Sequence, residues 1–370
     1  MPRNWTRVAA LAMAGAIMIA VSAGAGDPTA SLKQGNPQIK SAGPLGFGPD
    51  GILFVGDTQG SALFAIDTGD RTASGQKHAV KVDDLGAKVA GMLGTDPKQV
   101  MINDLAVNPI SGNVYLSVAR GRGPGATPVL MRLGADGKLD EVALDNVRYA
   151  RAEIPNAPDA GKKDRSGQSQ RNESITDVAY VDGRVFLAGL SNEEFSSRLI
   201  AIPFPFSEGF DGAAIEIYHG AHGRFETKSP VRTFVSYKIG NDPYLLAAYT
   251  CTPLVKVPVG ELKAGAHVKG TTIAELGNRN RPLDMITYHK DGKDYLLLAN
   301  SSRGVMKIPT EGAGGAEGIT APVQGTKGIG YDTIASLKGV VQMDKLDDGH
   351  AVILTQGSDG AMNLDTVDLP

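Results

Sequence analysis

GPLGFGPDGILFVGDTQGSALFAID, residues 43–67, holds three short apolar runs separated by two polar turns. The first turn is Pro49-Asp50-Gly51, and Asp-Gly between hydrophobic runs is among the strongest short-range hairpin signals. The second half of the stretch is a strand, a polar loop and a strand, and that plan returns five times. The later copies are YLSVARGRGPGATPVLMRL (115–133), VFLAGLSNEEFSSRLIAIP (185–203), YLLAAYTCTPLVKVP (244–258), YLLLANSSRGVMKIP (295–309) and AVILTQGSDGAMNLDTVDL (351–369). One further strand is expected ahead of each copy: Leu45-Gly46-Phe47, Leu105-Ala106-Val107, Val178-Ala179-Tyr180, Thr233-Phe234-Val235, Met285-Ile286-Thr287 and Val340-Val341-Gln342. A unit of this size cannot bury its own faces, so the copies must pack on one another.

The units recur every 50 to 70 residues or so, too long for a β-helix, and a sandwich would not repeat one motif six times. Further turns stand at Ser111-Gly112-Asn113, Asp182-Gly183 and Asp291-Gly292. Four antiparallel strands per unit, repeated around an axis, make a propeller blade. The chain is therefore expected to be an all-β, six-bladed β-propeller whose ends pair to close the ring. Helical periodicity is scarce, and 47 glycines mark the turns. A polar insertion over residues 151–173 precedes the third unit and is expected to be a mobile surface loop.

The N-terminus has another character. Arg3 and Arg7 precede an apolar run from Val8 to Val21, and Ala23-Gly24-Ala25 is a small-x-small cleavage site. Residues 1–25 are expected to be a cleaved secretory signal peptide, with residues 26–370 forming one propeller domain, periplasmic or secreted. The apolar run is shorter than the roughly 20 residues a membrane-spanning helix needs. Cleavage moves the formal charge from −3 to −5, since the leader holds two arginines and no acid. An acidic chain argues against a nucleic-acid partner and against an anionic membrane surface, and no other segment reaches membrane-spanning length, so no membrane insertion of the mature protein is expected. Cys251 is the only cysteine, so no intrachain disulfide can form.

The stretch from Gly43 to Asp67 resembles the repeat of six-bladed propellers of the NHL, gluconolactonase-like and strictosidine-synthase-like group. The resemblance rests on Gly48-Pro49-Asp50-Gly51 at the hairpin, the strand that follows, and Asp57 before the next strand. It is clear in the first unit only, over about 25 residues. The gluconolactonase-like branch holds a divalent metal at the channel mouth with a Glu, two Asn and an Asp. Its early Glu-Gly-Pro motif is not present here.

Loops entering the innermost strands, and loops joining second to third strands, are expected to open on one face. IND-L, ITD-V and PLD-M place Asp104, Asp177 and Asp284 at equivalent positions. With Asn192 and Asn300 they form a candidate oxygen-rich set for Ca2+ or Mg2+. The competing reading is that each Asp accepts backbone N–H groups and fixes a turn. In a metal-dependent hydrolase Asp104, Asp177 and Asp284 would be metal ligands or bases, with Asp284 the catalytic candidate, and Arg281 or Arg232 would steady an oxyanion. Cys251 is a candidate nucleophile, soft-metal ligand or partner in an intermolecular disulfide, with a buried inert thiol as its plain alternative. His219 and His222 have a spacing that can chelate a transition metal.

No GxSxG elbow, HExxH, phosphate-binding glycine loop or CxxCH occurs. Trp5, the only tryptophan, falls in the leader, which excludes the repeated Trp docking motifs of pyrroloquinoline-quinone propellers. The first expectation is an exported binding or accessory propeller that presents its channel face to a small ligand or a periplasmic protein. The alternatives are a metal-dependent lactonase or esterase-type hydrolase, and a docking subunit of a periplasmic redox enzyme.

Overall fold

The computed structural model describes residues 28–370 except 74–77, 165, 208–209 and 252, so the leader expected over residues 1–25 lies outside the described residues. Six sheets carry the fold. Their innermost strands are Leu45–Phe47, Val100–Val107, Asp177–Val181, Val231–Ile239, Pro282–Lys290 and Val340–Lys345, and each contains one of the six expected inner runs. We number the blades one to six in this chain order. Ladders within the blades are antiparallel, apart from a parallel pair between Gly212–His219 and His267–Lys269. No helix among the described residues is long and apolar enough to cross a membrane.

Local chemistry explains the hairpins. Asp50 and Gly51, Asp182 and Gly183, and Asp291 and Gly292 all adopt positive φ. Both central residues of a type I′ turn need that conformation, and its twist matches the flanking strands.

The middle strands explain the continuous apolar runs. Leu296 and Leu298 face blade four, whereas Leu297 and Ala299 face blade six. Likewise Phe54 packs against blade three while Leu53 and Val55 pack against blade two. Alternate side chains point to opposite faces, and both faces are covered by neighbours.

These interfaces also give the ring order: one, three, four, five, six, two, and back to one. Chain order and ring order therefore differ. Blade one takes its inner strands from Leu45–Phe47, Ile52–Asp57 and Ala62–Asp67, but its next strand is Val147–Glu153, which the chain reaches only after building blade two. Among the described residues the first and last strands do not form the pair expected of the two ends. Lys33–Gly35 adds to the outside of Val147–Glu153, and the last strand, Met362–Asp368, pairs instead with Lys81–Val82. Between blades one and two lies the helix Leu85–Met92, N-capped by Asp84, whose Leu85, Val89 and Ala90 fill the junction of blades two and six. The insertion expected over residues 151–173 begins inside a strand and ends in a 3-10 turn, Gln170–Glu173.

Candidate functional site

All six inner strands line a central bore of about 650 Å3. A second cavity, of about 890 Å3, forms the mouth at one end. Asn103, Thr176 and Leu283 line the mouth, and the residues that follow them, Asp104, Asp177 and Asp284, line the bore. The three equivalent aspartates thus meet where mouth and bore join.

Each of these carboxyls is bonded twice. Asp104 accepts the Leu45 and Leu105 amides at 2.7 and 2.8 Å. Asp177 accepts those of Phe234 and Val178, both at 2.7 Å. Asp284 accepts those of Met343 and Met285 at 2.6 and 2.7 Å. In every case one donor is the next residue and the other belongs to the neighbouring blade, so each acid staples two blades together. A fourth acid, Asp344, does the same with Val107 and Lys345, both at 2.7 Å. Sequence reasoning missed it because it stands two residues beyond the register shared by IND, ITD and PLD.

The acids keep some surface because they face the open bore, yet the six inner strands enclose them. That burial pushes the Asp177 carboxyl up to about 7, against the bonds from Phe234 and Val178. Burial likewise holds Asp104 well above the ordinary carboxyl range, with repulsion from Asp177 and Asp344 adding to it. Asp284 is raised by burial and by repulsion from Asp104 and Asp177. Buried like charges disfavour joint ionisation.

The mouth has the opposite charge. Among the described residues, Lys40, Lys163, Arg232 and Arg281 line it against a single carboxylate, Glu173. Arg232 donates to Thr250 Oγ1 at 3.0 Å and is ion-paired to Glu173. Burial and the nearby Arg281 draw the Arg232 guanidinium below its usual value, and Glu173 works against them; an arginine stays protonated at any such position. Gln59 donates to Asn172 Oδ1 at 2.7 Å, which ties the second-to-third loop of blade one to the insertion. Ala160, Lys163, Gln168 and Ser169 of that insertion form part of the wall.

Asn192 and Asn300 line neither cavity among the described residues. Asn300 is buried, donates to the Leu298 and Gly304 carbonyls and accepts from Asn280, while Asn192 is exposed and its amide donates to the Asn156 carbonyl. Cys251, His219 and His222 come together elsewhere, where the turn after Gly212–His219 of blade three meets the turn between the second and third strands of blade four.

No protein-family model matches the sequence, and neither does any curated protein. Some solved structures align with most of its length. A glucose-dehydrogenase-like putative oxidoreductase from a Thermus species is 12% identical, with a TM-score of 0.35 over 91% of this chain and 100% of its own. The PQQ-bound aldose sugar dehydrogenase of Streptomyces coelicolor is 12% identical, with a TM-score of 0.34 over 92% and 98%. A streptogramin B lyase is 12% identical, with a TM-score of 0.31 over 91% and 97%. Likeness at this level carries no argument about activity.

Proposed function

We propose that the protein is an exported binding or accessory propeller of the NHL and gluconolactonase-like type, and that its mouth takes a small anionic ligand. The observation that supports this reading is the mouth itself: a cavity of about 890 Å3 with four cationic side chains and one carboxylate, in a chain whose overall charge is negative. Concave sites with a few convergent polar groups are where small ligands bind. Arg232 is already oriented by Glu173 and Thr250, whereas Arg281 is exposed and presents a second guanidinium. Planar guanidinium groups match carboxylate and phosphate geometry in a bidentate fashion.

The acids beneath are committed to backbone amides, and this disfavours Ca2+ or Mg2+ as their resident partner. Calorimetric titration with sugar acids, dicarboxylates and inorganic phosphate tests the reading. At least one class should bind, and Arg281→Gln should weaken it roughly 10-fold or more, about 1.4 kcal/mol, the scale of one charged hydrogen bond. Equal affinity in Arg281→Gln and Arg232→Gln would refute it. One observation favours the hydrolase alternative: the Asp177 carboxyl, at about 7, stands near neutrality beside the mouth, as a general acid or base would. Lactone or ester turnover that disappears in Asp177→Asn would establish that alternative.

A further inference from the structure

We propose that His219, His222 and Cys251 form a binding site for one transition-metal ion of the zinc–copper class. One ligand atom from each residue lies within 4.8 Å of the others. His219 precedes, and His222 ends, a single 3-10 turn, Gly220–His222, that closes the hairpin between Gly212–His219 and Arg224–Glu226 of blade three. Cys251 comes from the turn between the second and third strands of blade four. Around a tetrahedral ion, bonds of about 2.0–2.3 Å place ligand atoms about 3.5 Å apart. Closing from the observed spread takes about 1 Å, and His222, exposed on its turn, is free to supply it.

What distinguishes this cluster from a chance meeting is Glu226. Its Oε2 lies 2.9 Å from His219 Nδ1 and its Oε1 lies 2.7 Å from His222 Nδ1. A carboxylate can only accept, so both Nδ1 atoms carry hydrogen and both Nε2 atoms of the neutral rings present a lone pair. A carboxylate that fixes the tautomer of a metal-ligating imidazole is the usual outer support of such sites. Here one carboxylate supports two rings, and Ser229 holds it in turn at 3.0 Å.

A second observation points the same way. His219 is 1% exposed, and its Nε2 is buried with no hydrogen-bond partner in the protein. A buried acceptor left unmade is costly and needs an occupant. Close by, Glu275 is also buried; its Oε1 takes the Gly220 amide and its Oε2 has no partner. Gly220 fits the turn closely, since a Cβ there would lie 2.9 Å from both Glu275 Oε1 and Val323 Cγ2 and would push on the Glu275 carboxylate. Two imidazoles and a thiolate are a soft, nitrogen–sulfur set, which selects zinc or copper over calcium and magnesium. The thiolate and the Glu226 carboxylate, the latter also contacted by the exposed Arg224 at 3.2 Å, place two negative charges beside a divalent ion. None of the three ligands lines the mouth, so metal binding and anion binding are separately testable.

The test uses the mature protein, stripped with a chelator and titrated with Zn2+, Cu+ and Co2+ without added anions. One equivalent should bind, and the Co2+ form should show intense tetrahedral visible bands with a thiolate charge-transfer band. Cys251→Ser should abolish that band and weaken Zn2+ binding at least 100-fold. Glu226→Gln, which leaves all three ligands in place, should weaken it 10- to 100-fold. His222→Asn, at an exposed position, serves as the variant whose folding is not in question and should also weaken binding at least 100-fold. Competition between Zn2+ and Cu+ decides which ion the site prefers. Absence of stoichiometric binding, or binding unchanged in His222→Asn and Cys251→Ser, would overturn the proposal.

Discussion

Replacing Asp177 by Asn should make the protein less stable in acid and more stable in base. In the fold this carboxyl titrates at about 7, against an ordinary value of 3.8, so the native state holds a proton that the unfolded chain has released across that window. Stability is then fully present below pH 3.8 and falls as pH rises toward 7, by about 1.4 kcal/mol per pH unit while the two states differ by one proton. Over about three pH units the wild type loses at most about 4 kcal/mol through this group. The amide of the variant does not titrate. It can accept only one of the Phe234 and Val178 N–H groups, however, and turns its NH2 toward the other, which costs about 1–3 kcal/mol at every pH. The variant should therefore be less stable by about 1–3 kcal/mol near pH 4 and more stable by a similar amount near pH 8. Relief of the repulsion on Asp104 and Asp284 acts in the same direction. Denaturant unfolding of both proteins across that range, read by circular dichroism, measures the difference. A wild-type-minus-variant difference that stays constant with pH would refute the assignment of a raised carboxyl at this position.

Gly189→Ala should destabilise blade three and loosen the mouth. A Cβ there would sit 2.1 Å from the Ser174 carbonyl oxygen and 3.0 Å from that of Glu173, so the backbone carrying the Arg232 partner must shift; thermal unfolding should report a loss of about 1–3 kcal/mol, together with weaker anion binding, and an unaltered melting temperature would count against the geometry. Anion affinity in the wild type should fall as pH rises from 6 to 8, because ionising Asp177 places negative charge below the cationic rim. Calorimetry at several pH values checks this, and the dependence should flatten in Asp177→Asn.

The fold was largely legible because propeller packing leaves a simple trace. The run over residues 295–300 is apolar on both faces because each face meets another blade, and Asp-Gly pairs mark the hairpins at Asp50, Asp182 and Asp291. Blade order was not legible. The strand that completes blade one, VRYARAE, is half-exposed, lies about 80 residues from its partner Ala62–Asp67, and has no strong alternation. The strand closing blade six, Lys81–Val82, is two residues long. Periodicity cannot detect an element shorter than its own period. Among the site residues, Asp104, Asp177 and Asp284 could be placed from a shared register, and so could the arginines of the mouth. The grouping of His219 and His222 with Cys251 could not, since it depends on how two blades abut, and nothing near Glu226 in sequence marks it as the residue that joins both rings.

The acids of the bore make sense as an answer to a difficulty built into the fold. The innermost strand of every blade is a sheet edge, and the backbone groups on its axial side have no further strand to pair with. The ladder is further interrupted where Asp104 and Asp284 sit, since the register slips between Ile102 and Asp104 and between Pro282 and Asp284. A buried N–H without a partner costs about 1–3 kcal/mol. The four aspartates together accept eight such amides, four from their own strands and four from the next blade. They join blade three to four, five to six, six to two and two to one. A hydroxyl offers a single oxygen where the two amides are taken by two separate oxygens, and an asparagine would turn a donor toward one of them. The carboxyl is the short side chain with acceptors on both sides, and its drawback is the charge it carries into an enclosed bore. Raised pKa values at Asp104, Asp177 and Asp284 remove much of that charge. The set of acids that resembles a metal site in the sequence is thereby one means by which this propeller satisfies backbone amides along its axis, at four of its six blade junctions.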